Sequence, residues 1–341
     1  MDPSNNHLIP QPEQFISDYP NDAPRLIVTV DVEEQFDWRR PFATTNTNVA
    51  AVKHIHSAHR IFEAFKIKPT YVVDYPVASQ VDGYGPILEL LADDACLVGA
   101  QLHPWVNPPF LEPLTDHNSY PGNLPRELES TKLRLLTEII SSTLGIRPVI
   151  YKAGRYGIGW NTAGILAELG YKIDLSVYPH RDFRYNSGPD FRHLTARPFR
   201  FGRHSELLCI PLTCGFTGLL RQYGSVIHPG ISGVFGAALH APGILARVGL
   251  LNRVTLTPEG MWIDEAIDLT RSLYRSGAQI FSLAFHSPSL EPGNTPYVRN
   301  ERDLARLLGW LRQYFDFFFG EIGGVSSTPL RILSDIGTLA P

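Results

Sequence analysis

The residues Leu26-Ile27-Val28-Thr29-Val30-Asp31-Val32-Glu33-Glu34 end an apolar run in three carboxylates within four positions. Ionised carboxylates packed so closely repel one another, and burying them is costly unless a cation or a proton offsets the charge. At the C-terminal tip of a core strand on an α/β scaffold, such a cluster is the material of a metal site or a general base. The alternative is that Glu33 and Glu34 simply open a solvated loop. Four further apolar runs also end in groups able to do chemistry. His103 follows Cys96–Leu102, Lys152 and Arg155 follow the run ending at Tyr151, Asp174 lies within Tyr171–Ser176, and His286 ends Phe281–Phe285. Taken singly, each has a structural explanation, since a lone histidine beside an apolar strand is usually a satisfied core residue. Five tips carrying acid, histidine, cation, acid and histidine in turn are harder to explain that way.

The elements needed to position these groups alternate along the chain. Strand-like segments fall at 26–32, 69–73, 96–102, 148–151, 173–177, 207–212 and 279–285, with helical spacing between them at 49–65, 86–91, 125–144, 161–169, 257–275 and 300–315. That alternation predicts an α/β fold with a mostly parallel sheet, whose strand tips converge on one face in a barrel. Pro125 and Gly145 bracket the longest helix, and Asn161 and Gly170 bracket another. The apolar run 232–251 is broken by Gly233, Gly236, Pro242 and Gly243, so a loop or helical hairpin, able to cover a cleft, is expected there. His54, His56 and His59 fall on the first predicted helix and read as a solvated surface.

Composition narrows the function. At 341 residues the chain can bury a large core. Its net charge of -4 and pI near 6.3 give no electrostatic footprint for nucleic acid. There is no 18-residue apolar run, so no membrane span is expected. Residues 1–24 are polar and proline-bearing, without the apolar centre of a secretory signal, and read as a loosely held arm ahead of one domain, 25–341. Cys96, Cys209 and Cys214 are too few and too irregularly spaced for a disulfide framework, and are expected to be small buried hydrophobes. A cytoplasmic protein is expected.

In order and spacing, these segments resemble the polysaccharide deacetylase family, carbohydrate esterases of the nodulation-deacetylase type, and especially its WalW-like branch. The resemblance covers residues 26–318. It implies a distorted, incomplete (β/α) barrel with five motifs around a divalent metal. Thr29-Val30-Asp31-Val32-Glu33 matches the first motif, with Asp31 as general base. The second begins at His103, and the third is Lys152-Ala153-Gly154-Arg155-Tyr156-Gly157. Asp174 carries the fourth, and Leu283-Ala284-Phe285-His286-Ser287 is the fifth, with His286 as general acid.

Three positions depart from the family pattern. Val32 stands where the family has its metal-binding acid. Side chains at i and i+2 of an extended chain point the same way, which makes Glu33 the candidate ligand and leaves Glu34 behind it or facing solvent. Asn107 stands where a second histidine is usual, four residues after His103. It is either a weak oxygen ligand or a cap on the turn before Pro108-Pro109. Lys152 replaces an arginine, so its grip on Asp31 becomes a point-charge contact.

The resemblance thus implies a metal-dependent hydrolase removing acetyl from an N-acetylated sugar or related N-acyl compound. The metal would be held by Glu33, His103 and Asn107, with zinc expected first and manganese or magnesium as harder alternatives. Asp174 would orient His286, and Lys152 or Arg155 would keep Asp31 ionised. Trp105 and Tyr156 would either stack on a sugar or pack in the core. The partner expected is a glycan or a small molecule. Val32 and Asn107 keep two alternatives open: a degenerate carbohydrate-binding protein, or a metal-free amide hydrolase on the same barrel.

Overall fold

The computed structural model describes residues 10–16, 23–38, 40–232 and 241–337. The first strand, β1 (Arg25–Val32), is buried at every residue after Arg25, as expected of an apolar, β-branched run covered on both faces. It lies between β10 (Ile280–His286) and β2 (Thr70–Val73). The sheet continues through β3 (Leu97–Leu102), β4 (Ile150–Ala153), β5 (Ile173–Asp174), β7 (Leu207–Cys209) and β6 (Phe199–Phe201). All these neighbours are parallel except β6, which runs antiparallel to β7. The short β11 (Val325–Ser326) pairs with the first two residues of β1.

This is the expected distorted, incomplete (β/α) barrel. No continuous ladder joins β6 to β10 among the described residues. Instead, Thr213 N–H donates to the Ser282 carbonyl at 3.0 Å and Ala284 N–H donates to the Leu256 carbonyl at 3.3 Å. Thr213 leads into a separate antiparallel pair, β8 (Cys214–Thr217) and β9 (Asn252–Thr255).

Helices pack outside the sheet. The helix Ile55–Ala64 sends Phe62 against Phe285 of β10 and Phe315 of the helix Glu301–Asp316. Arg126–Leu144 follows Pro125 and ends at Gly145, whose φ of 69° is the left-handed conformation glycine tolerates best. The helix expected at 257–275 begins only at Ile263. Pro258 and Gly260, the latter with a φ of 74°, lie in the bends that precede it. His59 corrects the expectation of a solvated surface: it is buried, with Nδ1 2.8 Å from the Tyr71 hydroxyl. The three cysteines are free and buried. Part of the N-terminal arm lies along β6, where Phe15 pairs with Phe199. No helix among the described residues is long and apolar enough to cross a membrane.

Candidate active site

Parallel pairing puts Asp31 at the tip of β1 directly opposite His286 at the tip of β10. Three strands along the sheet from β1, β4 supplies Lys152, whose Nζ donates to both Asp31 oxygens at 2.7 and 2.6 Å. Both partners are almost fully buried. The ammonium also lies 5.2 Å from the centre of the Tyr156 ring. A point charge thus still reaches both oxygens, although it lacks an arginine's planar fork.

Beyond Val32 the chain leaves the sheet without reaching solvent: Glu33 and Glu34 are 3% and 0% exposed. They point to different places. Glu33 faces the cavity, with Oε2 3.6 Å from His103 Nε2 and 3.4 Å from the Gln101 amide nitrogen. Burial pushes its carboxyl up to about 7, opposed by His286 and His103 and reinforced by Asp31 and Asp74. Glu34 turns behind His103. It meets His103 Nδ1 at 2.8 Å, and its other oxygen accepts from the Trp105 indole N–H at 2.6 Å. Asp74, just past β2, accepts from the Glu34 backbone N–H at 2.7 Å and caps the next helix by accepting from Val77 N–H at 2.8 Å. Burial raises Glu34 to about 8 and lifts Asp74 well above the usual carboxylate range. His103 is lowered by burial despite its acidic neighbours. Gly154 is required beside it, because a Cβ there would run into the His103 ring.

His286 has a different support. Its Nδ1 lies 2.7 Å from Glu259 Oε2, its backbone N–H donates to Glu259 Oε1 at 3.2 Å, and its Nε2 lies 3.7 Å from Asp31 Oδ2. Burial opposes the charge on this ring, but Glu259, Glu33 and Asp31 together outweigh it and lift His286 to about 10. The residue expected to orient it, Asp174, is elsewhere. It accepts from the Ser176 hydroxyl and backbone N–H and from the Cys209 thiol. Burial raises it to about 6, against those bonds and the nearby Lys152 charge.

These groups open into a cavity of about 630 Å3, which Asp31, Glu33, Gln101, His103, Lys152 and His286 line. None of the described residues in 224–251 lines it, and residues 233–240 of the expected covering segment lie outside the described residues. Arg155 lines the cavity but does not touch Asp31. It donates to the Ser119 hydroxyl and stacks over Tyr120 and Phe42 at 4.2 and 5.0 Å. Trp105 has one face on His103 and the other on Phe42, at 4.4 and 4.2 Å, which leaves neither face for a sugar. Tyr156 likewise packs on Tyr178 and Phe183.

Asn107 does not line the cavity, and its amide oxygen, the atom that would ligate, is buried without a hydrogen-bond partner. Its backbone N–H donates to the His103 carbonyl at 3.1 Å, so the two residues share a turn. Its amide, however, donates to the Pro108 and Lys132 carbonyls at 2.7 and 3.0 Å. Lys132 staples the same turn through the carbonyls of Pro104, Asn107 and Pro109.

Among the described residues, two groups of acids and histidines have ligand atoms within 4.8 Å of one another: Asp31, Glu33 and His286, and Glu34, Asp74 and His103. The second is closed on itself by the bonds described above. The first holds unmet demand, because Glu33 Oε1 is buried without a hydrogen-bond partner, as is the neighbouring Gln101 Oε1. Buried acceptors left unpaired call for a cation or a proton. Glu33 and His103 Nε2, 3.6 Å apart, are a donor pair that could hold a divalent ion. Gln101, Asp74 and Glu259 were not singled out from sequence. The alternation that sets Gln101 two residues before His103 on β3 was the one available signal for it.

No protein-family model matches the chain, and no curated protein matches it. Solved structures do. A structure from Mycobacterium smegmatis described as a "putative polysaccharide deacetylase" superposes with a TM-score of 0.54 at 17% identity, covering 97% of this chain and 96% of that one. The 4-alpha-glucanotransferase of Thermococcus litoralis superposes with a TM-score of 0.53 at 12% identity, covering 92% of this chain but only 40% of that one. At these identities the likeness establishes a shared barrel fold alone.

Proposed function

We propose that the protein is a metal-dependent hydrolase that removes the acetyl group from an N-acetylated sugar or related N-acyl compound. The observation that carries this reading is the pairing of Asp31 with His286 across β1 and β10, beside the unsatisfied Glu33 carboxylate and His103 Nε2. A divalent ion held by Glu33 and His103 would supply Lewis-acid polarisation of the acyl carbonyl and of the attacking water. Asp31 takes the proton of that water at its carboxylate, which Lys152 fixes in place. His286 gives a proton from Nε2 to the departing amine nitrogen, while Glu259 holds Nδ1. Glu34 fixes the His103 ring with Nε2 toward Glu33.

Two observations support a second reading, amide hydrolysis without metal: Asn107 does not line the cavity, and the Lys152 ammonium already pairs with both Asp31 oxygens. Both readings are tested by measuring acetate released from N-acetylated chito-oligosaccharides before and after chelation and metal return. The first predicts release that chelation abolishes, that zinc, manganese or magnesium restores, and that Asp31→Asn cuts by about a hundredfold or more. Release unaffected by chelation would favour the second. Glycan binding with no acetate release at full metal occupancy would overturn both and leave a binding protein.

A further inference from the structure

Among the arginines that follow β5, Arg184 and Arg192 are matched to acids. Arg184 donates to both oxygens of Asp182 at 2.9 and 2.8 Å, and Arg192 grips Asp190 in the same way at 2.9 and 2.7 Å. Cross-contacts of 3.6 Å close the four into a ring. Arg181 is treated differently. No acid among the described residues pairs with it, although Asp182 is next in sequence, and its Nε is buried without a hydrogen-bond partner. Arg181 lines the catalytic cavity, with its guanidinium over the rings of Tyr178 and Phe183 at 5.2 and 5.4 Å. The other two arginines of that cavity have acids nearby, Arg155 with Asp116 at 3.7 Å and Arg40 with Asp37 at 3.4 Å. Close to Arg181 stands Arg253 of β9, which donates to the His180 carbonyl at 3.0 Å and likewise has no acid partner among the described residues. Burial lowers Arg253, and the Arg181 charge adds to the fall. Burial also pushes the neighbouring His180 and His228 down to about 4, with Arg253 adding to it in both.

Two partly buried guanidiniums that repel each other and lack a counter-charge are costly, and an incoming anion relieves that cost. The planar fork of a guanidinium matches the paired oxygens of a carboxylate or a phosphate. We propose that Arg181 is the anion-receiving residue of the cavity, and that the substrate is an acidic sugar bearing a carboxylate or a phosphate besides its N-acyl group. The proposal rests on the deacetylase reading and narrows it. Tyr178, under the Arg181 guanidinium, packs on Tyr156 at 4.9 Å, and Tyr156 lies 5.2 Å from the Lys152 ammonium that holds Asp31. Two aromatic rings thus separate the anion from the reacting carbonyl. Asp31, Glu33 and Glu259 line the same cavity and repel an anion, so the charge on the substrate fixes which way round it enters.

The test uses the full chain, Arg181→Gln, Arg181→Lys and, as a control from the same loop, Arg184→Gln. Calorimetry with glucose, glucuronate and glucose 6-phosphate, which have no acetyl group to lose, reads the site without turnover. The wild type should bind one or both anions about tenfold to a hundredfold more tightly than glucose, the scale of a hydrogen bond to a charged group. Arg181→Gln should abolish that difference, Arg181→Lys should keep part of it, and Arg184→Gln should keep all of it. Preference for glucuronate alone, or for the phosphate alone, upholds the site and names the group it takes. Equal binding of all three sugars by the wild type, or a preference that survives in Arg181→Gln, would overturn the proposal. Acetate release is then measured from N-acetylglucosamine, its 6-phosphate and its uronate. An anion preference that depends on Arg181, with no acetate released from these or from chito-oligosaccharides, would uphold the anion site and overturn the hydrolase reading. Release with the same kcat/KM from charged and neutral sugars would overturn the anion site and leave the hydrolase reading standing.

Discussion

His103 and His286 face one cavity, and each meets a glutamate through Nδ1 at nearly the same distance, 2.8 and 2.7 Å. Their environments drive them in opposite directions. Burial lowers His103, and Glu34 offers its ring little help, because Glu34 is itself raised to about 8 in company with Asp74. A carboxyl that keeps its proton has no charge with which to stabilise an imidazolium. His286 is lifted to about 10, because Glu259, Glu33 and Asp31 outweigh the cost of burial. A neutral ring with Nε2 directed at Glu33 suits a metal ligand, and a charged ring beside Asp31 suits a proton donor. The lesson is that the histidine–glutamate contact alone does not set the role. What sets it is whether the glutamate is free to be ionised.

The largest effects expected from this division are catalytic. His286→Gln and Asp31→Asn should each cut turnover by about a hundredfold to ten-thousandfold with metal content unchanged, as acid–base contributions usually scale. Acetate release measured beside metal analysis checks this, and near-wild-type turnover in His286→Gln would break the comparison. On the His103 side the expected loss is of metal rather than of proton transfer. Glu33→Gln should strip the ion, and Glu34→Gln should weaken its binding about tenfold to a hundredfold by loosening His103. Full occupancy in Glu33→Gln together with loss in Glu34→Gln would reverse the roles of the two acids.

A smaller effect is expected at Glu259. Glu259→Gln keeps a hydrogen-bond acceptor for Nδ1 but removes a charge, so turnover should fall by roughly tenfold. The alkaline limb of the pH–rate profile should move to lower pH, since Glu259 helps to raise His286. An unmoved limb would show that Glu259 only positions the ring. The smallest effect is on stability. Because His286 sits above its ordinary 6.5 in the folded chain, its contribution is complete below pH 6.5 and is lost as pH rises towards about 10. Chelator-treated wild type should therefore lose stability relative to His286→Gln across that window in denaturant titrations, and parallel curves would contradict the raised value.

Much of the barrel and part of the site could be read from sequence, because strand alternation and parallel register are local properties. They carry Asp31, Glu33, His103, Lys152 and His286 to one face. What escaped depends on distant partners. Asn107 was open between a weak ligand and a cap on the turn before Pro108-Pro109, and its backbone N–H does close a turn onto His103. The direction of the Asn107 amide, however, is set by carbonyls that include Lys132, on a helix well along the chain. Glu259 lay in a stretch with helical spacing, and the left-handed Gly260 that breaks the helix there is what frees Glu259 to reach His286. Asp174 had the right chemistry at a strand tip, but Ser176 and Cys209 hold it away from that histidine. Gln101 is a neutral residue inside a strand, and only the three-dimensional cluster reveals its unpaired oxygen.

The division of labour between the two histidines is tested most directly by nitrogen chemical shifts of the ring-labelled, chelator-treated protein at pH 7.5, assigned through His103→Gln and His286→Gln. The account predicts a neutral His103 carrying its proton on Nδ1, and a His286 protonated on both nitrogens. A charged His103 beside a neutral His286 would contradict it.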